Sequence, residues 1–96
     1  MTKQQIRAEI DAYMQKFGRP KRDWYFGIAT DVEQRLFGDH NVPRDGTWIH
    51  GPADTARLAR EIEYVYQALG CQGGPSGGDD TTKYVYAYLI TPTTVE

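Results

Sequence analysis

The residues of this 96-residue chain whose types and spacing could do chemistry begin at Tyr25. This tyrosine is followed ten residues later by Arg35, and then by His40. The planar fork of an arginine matches phosphate oxygens, and a histidine can accept a proton near neutral pH. Further along the chain, Glu63 adds a carboxylate. Together these residues could exchange protons with a ligand and hold its charge.

Three segments that would position these side chains are predicted to be helices. The first begins at Thr2 with a capping-box pattern and ends before Gly18. A short second helix is expected to begin at Thr30 and to carry the arginine. The third has Pro52 in its first turn and ends at Gly70. Its predicted core stripe is Leu58, Ile62, Val65 and Leu69.

Three further segments are predicted to be strands. Trp24 to Ala29 is aromatic and apolar, and Gly27 within it indicates a bulge or a close backbone approach. Trp48 to His50 is a short strand, and Lys83 to Ile90 alternates so strongly that an interior strand is expected. Residues 71–82 before this strand form a glycine-rich loop. The predicted fold class is α/β (α+β), with a small three-stranded, mainly antiparallel sheet flanked by three helices in the order α-β-α-β-α-β.

Composition sets limits on the class of protein. The length predicts a single domain over residues 1–96. The formal net charge of −2 argues against tight non-specific binding to nucleic acid, although a local basic site is compatible with it. A single cysteine, Cys71, cannot form an intramolecular disulfide, which favours a cytoplasmic protein. Residues 1–12 lack the apolar core of a signal peptide, and no apolar run predicts a membrane span.

The stretch from Tyr25 to Asn41 resembles the second half of the GIY-YIG nuclease signature. In that family, a strand bearing tyrosine and glycine leads into a helix bearing an arginine, often with a histidine after it. Tyr25 and Gly27 match the YIG element, and Arg35 stands at the family's spacing. The resemblance covers Trp24 to Leu69 and also includes Leu36, His40-Asn41, Trp48-Ile49 and Ile62-Glu63.

The resemblance implies a small metal-dependent endonuclease domain that hydrolyses DNA phosphodiester bonds. By this resemblance, Glu63 would hold one Mg²⁺ or Mn²⁺ ion, and Arg35 would stabilise charge on the phosphate. Tyr25 would act as a hydrogen-bonding partner or as a base for the attacking water. His40 would assist as a base or as a phosphate contact.

The sequence departs from the family where the first strand, ending in GIY, should stand, because a helix occupies that part of the chain. We expect the strand Lys83 to Ile90 to lie beside Trp24 to Ala29 instead, as in a circular permutation. Tyr84, Tyr86 or Tyr88 would then replace the missing first tyrosine. Among them Tyr86 is taken as the catalytic candidate, and the other two as platforms on which bases stack.

A short basic turn precedes the Tyr25 strand. It consists of Arg19, Lys21 and Arg22, which could contact a backbone phosphate. DNA is therefore the expected partner. Because no separate DNA-binding domain is evident in the sequence, specificity would come from this turn, from a protein partner or from a homodimer.

Other interpretations of the same residues stay open at this point. The fold could lack catalysis and serve as a nucleic-acid or nucleotide binding module, or as a protein inhibitor. The acidic net charge and the absent first strand favour that alternative. Residue by residue, Glu63 could be a boundary charge on its helix and His40 a surface residue. The tyrosines of the last strand could simply pack beneath helices, and the motif match could be accidental.

Overall fold

The computed structural model describes residues 2–74 and 79–96, so part of the predicted glycine-rich loop, residues 75–78, lies outside the described residues. The elements follow the predicted order: α1 (Lys3–Gln15), β1 (Trp24–Ala29), a π-helix (Gln34–Asp39), β2 (Trp48–Pro52), α2 (Ala56–Ala68) and β3 (Tyr84–Leu89). Among these described helices, none is long and apolar enough to cross a lipid bilayer.

The sheet has three antiparallel strands in the order β1-β3-β2, so that β3 is central. Tyr86 of β3 pairs with Gly27 of β1, and Tyr88 pairs with Tyr25. On its other side β3 pairs with β2, where Tyr88 faces Trp48. The predicted interior position of the last strand and its place beside β1 are therefore confirmed. The structure is a small α+β domain with an open sheet.

The outer edge of β1 is only partly covered. The backbone N–H of Phe26 donates to the carbonyl of Gln72 over 2.9 Å, and the N–H of Gln72 donates to the carbonyl of Trp24 over 2.8 Å. This short parallel contact protects the first half of an edge strand that would otherwise present unpaired backbone groups. The sequence did not predict it, because a loop of this composition has no strand pattern. Beyond Phe26, the edge of β1 borders a cavity.

The two faces of the sheet pack against different parts of the chain. Helices α1 and α2 cover one face, where the ring of Phe26 stacks on that of Tyr66 with centroids 4.6 Å apart. The other face carries Tyr25, Tyr86 and Tyr88 and packs against the π-helix. The interpretation of the tyrosines of the last strand as core packing is correct for Tyr86 and Tyr88, which are fully buried.

Helix α2 begins later than predicted and is rotated. Pro52 ends β2 rather than opening the helix, and the hydroxyl of Thr55 accepts the N–H of Leu58 over 3.0 Å as the cap. The most deeply buried face is formed by Ala59, Ile62 and Tyr66. Of the predicted stripe only Ile62 lies on it, because Leu58 and Val65 are half-buried and Leu69 is exposed. This rotation turns Glu63 inward.

The buried face of α2 can be tested at Ile62, which has no solvent exposure. We expect Ile62→Ala to lower the free energy of unfolding by about 2–5 kcal/mol, because it leaves a cavity between the helix and the sheet. Urea denaturation measures this change. The matched control is Leu69→Ala just after α2, where the side chain is 50% exposed and the expected change is within about 0.5 kcal/mol. An equal loss in both variants would contradict the observed rotation of α2.

Candidate active site

A cavity of about 590 Å³ opens at the outer edge of β1, between the π-helix and α2. All five predicted catalytic residues line it: Tyr25, Arg35, His40, Glu63 and Tyr86. They come from β1, the π-helix and the residue after it, α2 and β3, so only the folded chain brings them together.

The π-helix explains why the arginine and the histidine face the same cavity. The N–H of His40 donates to the carbonyl of Arg35 over 2.8 Å, a bond spanning five residues. In an α-helix, residues five apart would point about 140° away from each other. The wider π turn brings them onto one side, and such turns are frequent at functional sites. The short helical turn that leads into the π-helix, residues 32–33, is capped by Asp31 and not by Thr30 as predicted, since the carboxylate of Asp31 accepts the N–H of Gln34 over 3.1 Å.

A left-handed residue ends the π-helix. Asn41 has a φ of 54°, a conformation that asparagine tolerates better than most residues. Its side-chain amide donates to the carbonyl of Thr93 over 3.0 Å, and the next N–H, of Val42, returns to the carbonyl of Leu36 over 2.9 Å. This turn fixes the position of His40 immediately before it.

The ring of His40 is held from both sides. Its Nδ1 lies 2.7 Å from the carbonyl oxygen of Val95, which can only accept, so Nδ1 carries a proton and donates. In the neutral ring, Nε2 therefore accepts the hydroxyl of Tyr86, 2.7 Å away. The side chain is 4% exposed, so the interpretation of His40 as a surface residue is wrong.

Burial and charge keep this histidine neutral. Desolvation is the main cause that lowers the pKa of His40, and the positive charge of Arg35 lowers it further. The hydrogen bond to the carbonyl of Val95 acts in the opposite direction without reversing the shift. His40 is thus a proton acceptor already aligned on a tyrosine hydroxyl.

Tyr86 approaches the backbone of β1 very closely. A Cβ atom on Gly27 would lie 2.5 Å from the hydroxyl oxygen of Tyr86, which is too close for any side chain. Burial raises the pKa of Tyr86 to about 12, although the hydrogen bond and the charge of Arg35 act to lower it. For Arg35 itself, partial burial is the largest single cause and lowers the pKa, but the contributions of Tyr86, Asp39 and Tyr25 together make the net shift upward. The guanidinium of Arg35 therefore favours the tyrosinate, but burial outweighs it and Tyr86 remains a neutral phenol.

Tyr25 lies beside this pair. Its hydroxyl oxygen accepts the backbone N–H of Gly74 over 3.0 Å, and its ring stacks on that of Tyr88 with centroids 5.2 Å apart. The centroid of the His40 ring is 4.6 Å from that of Tyr25. Tyr25 is thus fixed at the cavity wall by a backbone hydrogen bond and by ring stacking.

Glu63 enters the cavity from α2. Its side chain is 4% exposed, so its interpretation as a boundary charge is wrong. Its negative charge contributes to the raised pKa of Tyr86. Within the described residues, no cluster of three or more potential metal ligands is present. Magnesium commonly takes one or two protein carboxylates and keeps several waters, so a single buried carboxylate beside an open cavity fits its requirements.

None of the predicted nucleic-acid contacts is among the described residues that line this cavity. Tyr84 is 39% exposed, whereas Tyr88 is fully buried and donates from its hydroxyl to the carbonyl of Val95 over 3.3 Å. The structure leaves no face of Tyr88 open to a base, because its neighbours cover the ring. The three basic residues form a turn before β1, and none of them is among the described residues that line the cavity: Arg19, Lys21 and Arg22.

Some residues of the site were not predicted. The carbonyl of Val95 fixes the tautomer of His40, and the N–H of Gly74 holds Tyr25, but a backbone group has no signature in sequence. Asp31 and Asp39 also line the cavity, and Asp39 lies 3.6 Å from Arg35. The i, i+4 spacing of Arg35 and Asp39 would have been a signal for this ion pair.

Comparisons of the chain with protein-family models, curated proteins and solved structures find no match. The resemblance of the Tyr25 stretch to the GIY-YIG signature therefore stays a prediction.

The close approach of Tyr86 can be tested at Gly27. We expect Gly27→Ala to displace the Tyr86 ring and break its hydrogen bond to Nε2 of His40, because the added methyl group and the hydroxyl cannot occupy the same space. The nitrogen chemical shifts of the His40 ring report that bond directly. Gly51→Ala on β2 is the control, since nothing lies within 4 Å of its added carbon. Unchanged His40 shifts in a folded Gly27→Ala variant would contradict the observed packing.

The protonation of His40 gives a second test. NMR titration should show a pKa below 6.5 that rises in Arg35→Gln, because a positive charge that opposes protonation is removed. An unfolded chain binds this proton more readily, so stability is full above pH 6.5 and falls as the pH drops towards the lower pKa of the folded state. A His40→Gln variant should lose this part of the acid sensitivity. A downward shift in Arg35→Gln would contradict the assignment.

Proposed function

We propose that this protein is a small metal-dependent endonuclease that hydrolyses DNA phosphodiester bonds in the cavity beside β1. The observation that supports this most directly is the hydrogen bond from Tyr86 to a neutral, buried His40, with Arg35 beside it. A base, a phenol and a guanidinium in one cavity match the needs of attack by water on a phosphate. We also propose that the chain is related to the GIY-YIG nucleases, with β3 in the place of their first strand.

The proton path follows from the tautomer of His40. Nε2 takes the hydroxyl proton of Tyr86 while the phenol oxygen takes a proton from a water molecule. The resulting hydroxide attacks phosphorus in line with the departing oxygen, which leaves with the bonding electrons and is protonated by solvent. His40 then returns its extra proton to solvent. Because burial raises the pKa of Tyr86 to about 12, the phenol needs the adjacent His40 to take its proton near neutral pH.

Two further residues can stabilise the negative charge of the phosphate. Arg35 is about half exposed, and its guanidinium can form two parallel hydrogen bonds to a phosphate oxygen pair. Tyr25 can donate its hydroxyl proton to another phosphate oxygen, since its oxygen already accepts the N–H of Gly74. Both contacts strengthen as negative charge accumulates on the phosphate during attack.

The cavity also explains the expected need for Mg²⁺ or Mn²⁺. Arg35 is the one basic side chain among its described lining residues, against four carboxylates: Asp31, Asp39, Glu63 and Glu96. A phosphodiester would be repelled by this balance of charge unless a cation were bound. Glu63 would hold that cation, which when bound would offset phosphate charge and act as a Lewis acid.

Plasmid nicking tests this proposal. Purified protein with Mg²⁺ or Mn²⁺ should nick supercoiled DNA, and chelation should stop the reaction. Arg35→Gln should slow it by about 10² or more, because a preorganised donor to the developing charge is removed. Tyr86→Phe should slow it as well, whereas Tyr84→Phe on the same strand should not. Folding of each variant is checked by circular dichroism.

Glu63→Gln provides the matched test of the metal site. It should abolish the metal-dependent reaction while retaining the size of the side chain. Glu9→Gln on α1 is the control, because Glu9 is exposed and is not among the described residues that line the cavity. If the wild type is folded and cleaves no nucleic acid with either metal, the endonuclease proposal is wrong.

The alternative is a catalytically inactive fold that serves as a nucleic-acid or nucleotide binding module, or as a protein inhibitor. The acidic lining of the cavity and the net charge of −2 favour the inhibitor form of this alternative, since both weaken the attraction of a polyanion to the site. Binding of nucleic acid or a nucleotide without cleavage would support the first form. Retention of a partner protein without either would support the inhibitor.

A further inference from the structure

A second concave surface lies between the start of α1 and the outer side of α2. We define this α2 groove, of about 380 Å³, by its lining residues: Lys3, Arg57, Arg60, Glu61, Tyr64 and Val65. Three of them are cationic and one is acidic. The groove therefore has a positive balance in a chain whose overall charge is −2. Neither the basic turn nor the proposed active site includes any of these residues.

The aromatic residue of the groove is unusually open to solvent. Tyr64 is 75% exposed, although tyrosine is a large residue that generally covers much of its ring. It stands one position after the buried Glu63, so it does not help to close the core. An exposed aromatic ring between arginines is the combination that binds unpaired nucleic-acid bases, since the ring stacks on a base while the cations contact phosphates.

Helix α2 carries both this groove and one wall of the proposed active site, which share no lining residue. Taking about 100° per residue, Arg60, Tyr64 and Arg57 lie about 60°, 100° and 120° from Glu63, all in the same direction. Gln67 lies in that direction too, and its amide contacts the carbonyl of Phe26 over 3.4 Å at the outer edge of β1. A chain leaving the cavity past this edge would therefore meet Arg60 first and then the ring of Tyr64.

We propose that the α2 groove binds a single-stranded segment of nucleic acid that extends from the active-site cavity. The partner is identified by charge complementarity for the phosphates and by the open ring for an unpaired base. A duplex keeps its bases stacked on each other and cannot offer one to Tyr64. The proposal rests on the proposed function only for the direction of the strand, since binding in the groove requires no cleavage.

Fluorescence anisotropy tests this with a labelled oligothymidylate and a labelled duplex of equal length, in the presence of a chelator. The single strand should bind more tightly than the duplex. Tyr64→Ala should weaken binding of the single strand about tenfold, and Tyr64→Phe should keep it, because phenylalanine retains the stacking ring. The double variant Arg57→Gln/Arg60→Gln should reduce the slope of log K against log salt by about 1.4, because each phosphate that an arginine neutralises accounts for about 0.7.

The matched control is Arg19→Gln/Arg22→Gln, which removes the same charge from the basic turn. If this control loses binding and the α2 double variant retains it, the α2 groove is not the site. The proposal is overturned if Tyr64→Ala binds the single strand as tightly as the wild type does. It is also overturned if poly-glutamate competes as well as an unlabelled single strand, or if the protein forms a dimer only when the groove is intact. Binding that follows the expected pattern in a protein that nicks no DNA would retain the groove and reject the nuclease. If the protein nicks DNA and the groove variants bind the single strand as the wild type does, the nuclease is retained and the groove is rejected.

Discussion

The structure of the site depends on the contact between Tyr86 and Gly27. Because the glycine has no side chain, the phenol ring can lie against the β1 backbone and place its hydroxyl on Nε2 of His40. The same close approach requires β3 to pair with β1 in the observed register. The contact between Tyr86 and Gly27 thus links three features: the pairing of β3 with β1, the position of the Tyr86 ring and the protonation of His40.

The two faces of the sheet differ in the residues that they bury. The face covered by α1 and α2 is apolar and supplies most of the buried core, including Phe26 and Tyr66. The opposite face combines apolar residues such as Leu36 with three tyrosines and a histidine, and these polar groups are paired with one another and with the backbone of Gly74 and Val95. Burying these groups costs little only because each has a partner, and their burial shifts the pKa of His40 downward.

The sequence predicted the elements well because hydrophobic periodicity is a local property. The number and order of helices and strands, the interior position of β3 and its place beside β1 are all confirmed. Errors fell at element ends, where Asp31 and Thr55 rather than Thr30 and Pro52 begin the helices. Several residues within one or two positions could each cap the helix, and packing at that end determines which of them does.

What the sequence determined by itself was the set of chemical groups and the strand–helix frame that carries Tyr25, Arg35 and His40. Only the tertiary structure decided which of them meet. The π turn aligned Arg35 with His40, and the rotation of α2 turned Glu63 towards the cavity, neither of which has a clear sequence signal. Contacts over 46 residues, such as that of His40 with Tyr86, depend on how two layers pack, and packing is a property of the whole chain.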